Sequence, residues 1–148
     1  MISFEIVTPE RVVYRDEVES VTLPTEDGEI TVLPNHTPLV TLLKAGALMV
    51  KKKGQELFMA VSGGFIEIQP GSRLMVLADT AERAEELTLA AVEAARERAR
   101  ALLTEKRQKD ELGYQAAVAM LEREMARVKV ARRHHAGRGM TREIRSEE

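Results

Sequence analysis

The chain has 148 residues, a length that allows one ordinary domain or a small domain with an appendage. Hydrophobic residues make up 44% and charged residues 31%, which is typical of a globular protein. Cysteine is absent, so disulfides, zinc–thiolate sites and cysteine nucleophiles are excluded. No apolar stretch approaches the roughly 20 residues that cross a bilayer, and no signal peptide is readable. We therefore expect a soluble protein whose membrane association comes through partners.

The net charge of −2 conceals an asymmetry between the two parts of the chain. Residues 1–80 carry 7 basic and 11 acidic side chains, a net of −4, whereas residues 81–148 carry 15 and 13, a net of +2. This cationic end predicts an acidic partner surface. Nucleic-acid binding is disfavoured because the segment lacks interleaved aromatic residues and a recognisable reading module.

The first half of the chain predicts short β-strands. Apolar and polar residues alternate at its start, which puts three apolar side chains on one face of a strand: Ile2, Phe4 and Ile6. A hairpin with a polar turn is expected at Gly54-Gln55, and Pro70-Gly71 indicates a further turn. Many short strands separated by glycine and proline turns predict an antiparallel β-sandwich over residues 1–80.

After Thr80 the hydrophobic period changes from that of strands to that of helices. Asp79 followed by Glu82 predicts a capping box, which satisfies free backbone amides at a helix start. Apolar residues then recur every three or four positions in two stretches, separated by the polar segment Asp110–Gly113. This pattern predicts two amphipathic α-helices with a reversal between them.

The two predicted helices form an arm. Helices joined by a short turn pack antiparallel, so residues 81–133 are expected to form an antiparallel α-helical hairpin. The apolar stripes of these helices are narrow and rich in alanine, so the arm is expected to be the half that is able to leave the sandwich. Residues 134–148 lack an apolar pattern and are predicted to be a disordered basic tail.

No pattern in the sequence indicates catalysis, a metal ion or a cofactor. His134-His135 lacks a third ligand and fits a solvated helix end. Ser62-Gly63-Gly64 is only weakly similar to a nucleophile turn, which needs Gly-x-Ser-x-Gly before a helix, whereas a strand follows here. His36 fits a hydrogen-bonding loop residue better than a general base. We therefore expect no catalytic residue, no metal site and no cofactor.

Three blocks of sequence carry more specific information: TLPTEDGEITVLPNHTPLV at 22–40, VSGGFIEI at 61–68 and VLADTAE at 76–82. In this order and spacing they resemble the epsilon subunit family of the F-type, proton-translocating ATP synthase. The resemblance covers residues 1–133. It implies a ten-stranded β-sandwich followed by a helix–turn–helix. It also implies a non-catalytic rotor subunit in the central stalk, which couples proton flow through the c-ring to gamma rotation and ATP synthesis.

The same resemblance implies partners. The sandwich would contact the gamma subunit on one side and the membrane c-ring on the other, with Glu29 facing the c-ring and His36 facing gamma. In a second, extended state the arm would reach the alpha and beta subunits of the catalytic head and oppose ATP hydrolysis. The basic residues that would meet an acidic segment of beta there are Arg123, Arg127, Lys129, Arg132 and Arg133. A solvated basic face is the alternative interpretation of these five residues.

One family pattern is missing. Members that bind ATP in the docked arm resemble Ile/Leu-Asp-x-x-Arg-Ala early in the first helix, whereas this chain has LTLAAV at 87–92. Thr88 replaces the carboxylate, and Ala91 replaces the arginine that would meet the phosphates. A phosphate site without its cation loses its strongest charge-assisted hydrogen bonds. We therefore expect no ATP binding through this motif, or only weak binding.

The resemblance also implies a location, in a peripheral complex on the cytoplasmic side of a bacterial plasma membrane. A bacterium is favoured over a chloroplast thylakoid because no transit segment is readable, although a chloroplast-encoded subunit would also lack one. No direct membrane insertion and no nucleic-acid partner are expected. The alternative function is a free-standing adaptor that binds an acidic partner or nucleic acid through its basic helical arm. A rotor subunit would form a stable complex with gamma, whereas an adaptor would show salt-sensitive binding to polyanions.

Overall fold

The computed structural model describes the backbone of residues 1–106 and 111–146, and the side chains of residues 1–105 and 113–134. The described residues form eight strands: β1 (Ile2–Val7), β2 (Val12–Val18), β3 (Ser20–Thr25), β4 (Gly28–Val32), β5 (Leu39–Leu43), β6 (Gly46–Lys52), β7 (Gln55–Gln69) and β8 (Arg73–Arg83). A 3₁₀ turn follows at Ala84–Glu86. The helices are α1 (Leu89–Lys106) and α2 (Glu111–Ser146).

The strands form a two-layered β-sandwich because β7 and β8 are long enough to belong to both layers. The first half of β7 pairs with β6 and the second half with β5, and β8 follows β7 over its whole length. If β7 and β8 are each counted once in each layer, the eight described strands become the ten segments that the resemblance implied. The predicted antiparallel sandwich followed by helices is confirmed, with one parallel pair, β1 and β8.

The bend that lets β7 pass between the layers lies at Gly63-Gly64. Both glycines have a positive φ, 48° and 138° respectively, which residues with a Cβ atom rarely adopt. A Cβ atom on Gly64 would lie 1.9 Å from the backbone carbonyl oxygen of Leu77 on β8. Only glycine therefore allows the two backbones to meet at this corner of the sandwich.

The main core lies between the two layers and is almost entirely aliphatic. Ile2, Phe4 and Ile6 are at most 1% exposed, which confirms the alternation predicted for β1. Phe4 and Tyr14 form an aromatic pair in this core, with ring centroids 5.6 Å apart. Burial raises the pKa of Tyr14, and the nearby charge of Asp16 raises it further.

An ion pair joins the edges of the two layers. Lys52 on β6 donates a hydrogen bond to the carboxylate of Asp16 on β2. This hydrogen bond lowers the pKa of Asp16 and raises the pKa of Lys52. The charged forms of both groups are therefore favoured in the folded state, although both side chains are partly exposed and the pair is screened by solvent.

The predicted hairpin after β6 is confirmed, with its turn one residue earlier than the sequence indicated. Lys52 pairs with Gln55, so the turn residues are Lys53 and Gly54. Their φ angles are 51° and 73°, and two consecutive positive values are typical of a type I′ turn.

The predicted capping box is wrong. Asp79 and Glu82 lie in β8, because the pairing of β8 with β7 continues to Arg83. Sheet pairing here overrides a local helix signal. The first long helix begins at Leu89 instead, where the carbonyl of Thr88 accepts a hydrogen bond from the Val92 amide at 3.0 Å.

Helix α2 is longer at both ends than the sequence predicted. It includes Glu111–Gly113, which were assigned to the reversal, while Asp110 lies outside the described residues. It also continues to Ser146 and so differs from the tail predicted for residues 134–148, of which 147 and 148 lie outside the described part. None of the five prolines follows Pro70, and an isolated glycine costs a helix only about 1 kcal/mol. Nothing in the sequence therefore forces the helix to stop.

Replacing Gly64 with alanine is expected to lower the free energy of unfolding by about 3 kcal/mol or more, because the new Cβ atom meets the Leu77 carbonyl. The matched control is Gly54→Ala, which also has a positive φ but has no atom within 4 Å of the new Cβ. It should cost about 1 kcal/mol. Urea unfolding followed by circular dichroism measures both values, and equal losses would contradict the role assigned to the corner contact.

Asp16→Asn is expected to destabilise the protein at neutral pH, because the carboxylate is stabilised by Lys52 only in the folded state. The pKa of Asp16 is lowered by folding, so this contribution is present above its ordinary value of 3.8 and is lost as the pH falls further. Unfolding of the wild type and the variant should therefore converge in strong acid. A stability difference that does not change with pH would contradict the ion pair.

Candidate functional site

A row of exposed hydrophobic side chains crosses the outer face of one layer of the sandwich. Strand pairing places Val12 beside Val7, Val7 beside Leu77, Leu77 beside Phe65, and Phe65 beside Leu42. These five residues are named the outer stripe. Four of them are about half exposed: Val12 (47%), Leu42 (48%), Phe65 (55%) and Leu77 (49%). A contiguous exposed apolar patch of this kind marks an interaction surface.

A more polar row runs beside the outer stripe, two positions along each strand except on β2, where a register shift makes the separation three. Strand pairing sets this row as Val40, Glu67, Met75, Glu5 and Arg15. Glu5 and Arg15 form an ion pair of 2.6 Å within it. An apolar centre with a polar rim is the usual arrangement of a protein–protein interface.

The outer stripe was not predicted, although the sequence contains a signal for it. Residues 74–78 of β8 read as an apolar run rather than as a strict alternation, and β5 is apolar except at Thr41. A strand that is apolar on both faces is typical of a sheet covered on both faces. The register between strands was needed to show that the exposed members line up.

The arm lies against the outer face of the other layer. Helix α2 contacts β6 and β7 and packs along α1. A second, small core joins them, formed by Ala47, Ala60, Ala84, Leu87, Val92, Val128, Val130 and Ala131. Ala47 and Ala60 are paired across β6 and β7, and such small side chains allow a helix to approach the sheet closely. They also bury little apolar area, so the arm is held less tightly than the sandwich core.

One arginine of the arm lies between two carboxylates. The Nε atom of Arg127 is 3.0 Å from Oε1 of Glu82 on β8. Its Nη1 atom donates a hydrogen bond of 2.6 Å to Oε2 of Glu124. Glu124 is only 4% exposed, and Arg123 lies 3.5 Å from its other oxygen. A buried carboxylate needs such cations to offset the loss of water.

Two further basic residues of the arm have partners within the chain. Arg132 forms a 3.0 Å ion pair with Glu93 on α1. The guanidinium carbon of Arg133 lies 5.4 Å from the ring centroid of Phe58 on β7, which is within cation–π range. Lys129 is exposed. The structure thus places four of the five predicted arm residues in intramolecular contacts.

Arginines also anchor the segment that leads into the arm. Arg83 donates to the carbonyl oxygen of Val13 from Nη2 at 2.6 Å and from Nε at 3.1 Å. Arg11 donates from Nη2 to both carboxylate oxygens of Glu86 at 3.1 Å. The chain is therefore fixed to the sandwich as far as Glu86.

The two residues predicted to face partners both lie near the surface. Glu29 is exposed on β4, close to the turn that contains Glu26 and Asp27. His36 is half-buried in the loop between β4 and β5, where its ring Nδ1 lies 2.7 Å from the carbonyl oxygen of Thr37. The c-ring and gamma assignments of these residues stay predictions.

Ser62, which was considered as a catalytic candidate, makes a hydrogen bond within the sheet. The hydroxyl groups of Ser62 and Thr80 are hydrogen bonded to each other across β7 and β8. His134 lies on α2, and the side chain of His135 is outside the described residues. Among the described side chains, no group of three or more His, Cys, Asp or Glu residues is arranged to hold a metal ion.

No helix in the described part of the chain combines the length and apolarity needed to span a bilayer.

The start of α1 borders an open cleft of about 560 Å³. Thr88 lines this cleft together with the carboxylate-bearing residues Glu85 and Glu93 and with His134. Its described lining contains no lysine or arginine. Ala91 is exposed on α1. Thr88 and Ala91 supply no cation to a phosphate group here, which agrees with the expectation drawn from the altered motif.

An apolar stripe, an acidic hairpin tip and a docked helical arm define a protein that works through contacts with other proteins. A sequence model described as "ATP synthase, Delta/Epsilon chain, beta-sandwich domain" matches residues 1–84. The chain is 44% identical over 127 residues to the ATP synthase epsilon chain of Desulforamulus reducens, which covers 86% of this chain and 94% of the relative. It is 44% identical over 136 residues to that of Dehalococcoides mccartyi, with 90% and 96% covered.

The fold is also similar to solved structures. A chain in the mitochondrial ATP synthase of Euglena gracilis matches with a TM-score of 0.70 at 25% identity, over 82% of this chain and 75% of that chain. A chain in the central stalk and c-ring structure of the Tetrahymena thermophila enzyme has the same fold, with a TM-score of 0.59 at 14% identity over 88% and 96%. The chain belongs to the family of ATP synthase epsilon chains.

Titration of ATP into the isolated chain is expected to give no binding in the micromolar range, because the cleft at Thr88 is lined by carboxylates. Isothermal titration calorimetry measures this directly. A family member that carries the aspartate and arginine of the motif serves as the positive control. A micromolar dissociation constant for this chain would contradict the prediction.

Proposed function

We propose that the outer stripe is the surface through which this central-stalk subunit of the F-type ATP synthase contacts the gamma subunit. The chain is an accessory part of the complex. In the proposal it has no active site of its own and couples proton flow through the c-ring to gamma rotation. The observation that carries the proposal is the alignment of five apolar residues across five paired strands, on a face that the arm does not cover.

The position of His36 supports its assignment to the gamma-facing side. The loop that contains His36 leads into β5, and two residues of that strand, Val40 and Leu42, lie on the outer face. Val40 is 69% exposed, so this face extends towards the loop. The same partner surface would then reach both the outer stripe and His36.

The acidic tip of the β3–β4 hairpin supports a separate contact with the c-ring. Glu26 and Asp27 form the turn, and Glu29 follows on β4, all three exposed. This hairpin belongs to the layer opposite the outer stripe, so the two surfaces do not compete for one partner. A cluster of carboxylates favours a partner loop that carries positive charge.

The arm supplies the proposed regulation of ATP hydrolysis. The structure has the arm docked on the sandwich, and in the proposal its basic face meets an acidic segment of the beta subunit after release. Four of the five basic residues are engaged within the chain in the docked state. These four residues are therefore less available to a polyanion in the docked state, which disfavours the adaptor alternative.

The complex is associated with a membrane, and we place this subunit on the cytoplasmic side of a bacterial plasma membrane rather than a thylakoid. Support comes from the bacterial relatives, including the epsilon chain of Chloroflexus aggregans, which is 43% identical over 133 residues and covers 90% of this chain.

Co-elution with a gamma-containing catalytic head that lacks this subunit tests the proposal. Phe65→Ser and Leu77→Ser are expected to weaken the complex about tenfold or more, because exposed apolar anchors at the centre of an interface dominate its affinity. Both side chains are half exposed, so the stability of the free chain should change little.

Met125→Ser is the matched control, because Met125 is equally exposed at 52% but lies on α2, away from the outer stripe. It should bind like the wild type. Unchanged affinity of both stripe variants would exclude the stripe as the gamma surface. Failure of the wild type to co-elute with its cognate head would remove the rotor assignment itself.

A further inference from the structure

We infer that Glu82, Glu124 and Arg127 form a charge latch that holds the arm on the sandwich. In the docked state Glu82 binds Arg127, the side chain that the released arm would present to an acidic partner. The docked state would thus compete with that partner for one side chain. The competition rests on the proposed function, whereas the latch itself concerns only the isolated chain.

The contact between Glu82 and Arg127 crosses from the sandwich to the arm. Glu82 lies on β8 and Arg127 on α2. The Arg127 Nε atom is 3.0 Å from Oε1 of Glu82 and donates to Oε2 at 3.2 Å, so both carboxylate oxygens face one guanidinium group. The two side chains are 24% and 30% exposed. Such a partly buried pair is screened less by salt than a surface pair.

Glu124 is the second carboxylate of the latch, and it lies on the arm itself. It lies one helical turn before Arg127 on the same helix, and the two are joined by a 2.6 Å contact. This pair can therefore persist when the arm moves away, whereas the pair with Glu82 cannot. In the docked state the carboxylate of Glu124 is buried, and without Arg127 only Arg123, 3.5 Å away, would offset its charge.

A second sandwich residue holds a second arginine of the arm. The guanidinium group of Arg133 lies over the ring of Phe58 on β7. Arg127 and Arg133 therefore both have partners on the sandwich. Arg132 differs, because its partner Glu93 belongs to the arm itself. The charge contacts of α2 therefore divide into those that docking creates and those within the arm, and among the latter the Arg132–Glu93 pair joins α2 to α1. The Arg132–Glu93 pair is the internal control for the latch.

Pulsed electron paramagnetic resonance on the full chain measures release of the arm. The chain has no cysteine, so spin labels can be attached at Glu56→Cys on β7 and Lys129→Cys on α2, both exposed positions. Glu82→Gln and Arg127→Met are each expected to raise the released fraction about fivefold, as is usual when one partner of a partly buried pair is removed. Glu93→Gln should leave the distance distribution unchanged.

The double variant separates a latch from two independent effects. If Glu82 and Arg127 act as a pair, combining Glu82→Gln with Arg127→Met should release the arm no further than Arg127→Met alone. Near-ultraviolet circular dichroism and the unfolding midpoint confirm that the sandwich of each variant is intact. Three results would overturn the latch: no release by Glu82→Gln, equal release by Glu93→Gln, or additive effects in the double variant.

Inhibition of ATP hydrolysis in a reconstituted head tests the competition. Glu82→Gln removes only the docked-state contact, so it should lower the concentration for half-maximal inhibition about fivefold. Arg127→Met removes the contact with the partner as well, so it should raise that concentration. If both variants release the arm in the resonance measurement and neither changes inhibition, the latch stands and the competition is refuted, together with the proposed role of Arg127 in inhibition.

Discussion

The contact between Gly64 and the carbonyl of Leu77 is the constraint on which the rest of the structure depends. It lets two long strands cross from one layer of the sandwich to the other at a single corner. Because β7 and β8 serve both layers, each layer is completed by a different half of the same pair. The outer stripe lies on one half, and the docking surface of the arm lies on the other.

The two outer faces differ in the size of their apolar side chains, and this difference separates their functions. The face that receives the arm presents paired alanines, Ala47 and Ala60, and buries little area. Its attachment therefore relies on directional contacts such as the one between Glu82 and Arg127. The face with Phe65 and Leu77 carries larger side chains suited to a permanent partner. In the proposed function, a stable interface and a releasable one thus share a single small domain.

The sandwich and the helices could be predicted from the sequence. The period of two in β1 and the change of period after Thr80 predicted the sandwich and the helices, because burial of one face dictates both patterns. The helix start predicted at Asp79 was wrong, because the pairing of β8 with β7 continues to Arg83 and outweighs a local capping signal. The outer stripe and the contact of Glu82 with Arg127 could not be derived, because both depend on register and on contacts between residues far apart in the chain.

The assignment of the outer stripe to the gamma contact is tested most directly by photo-crosslinking from the rim of the stripe within the assembled complex. A benzophenone maleimide attached at Val40→Cys lies on the same face as Phe65, and the same label at Met125→Cys lies on the arm. We expect an adduct between this chain and gamma from position 40 and none from position 125 in the docked state. An adduct with gamma from position 125 alone, or with the c-ring from position 40, would contradict it.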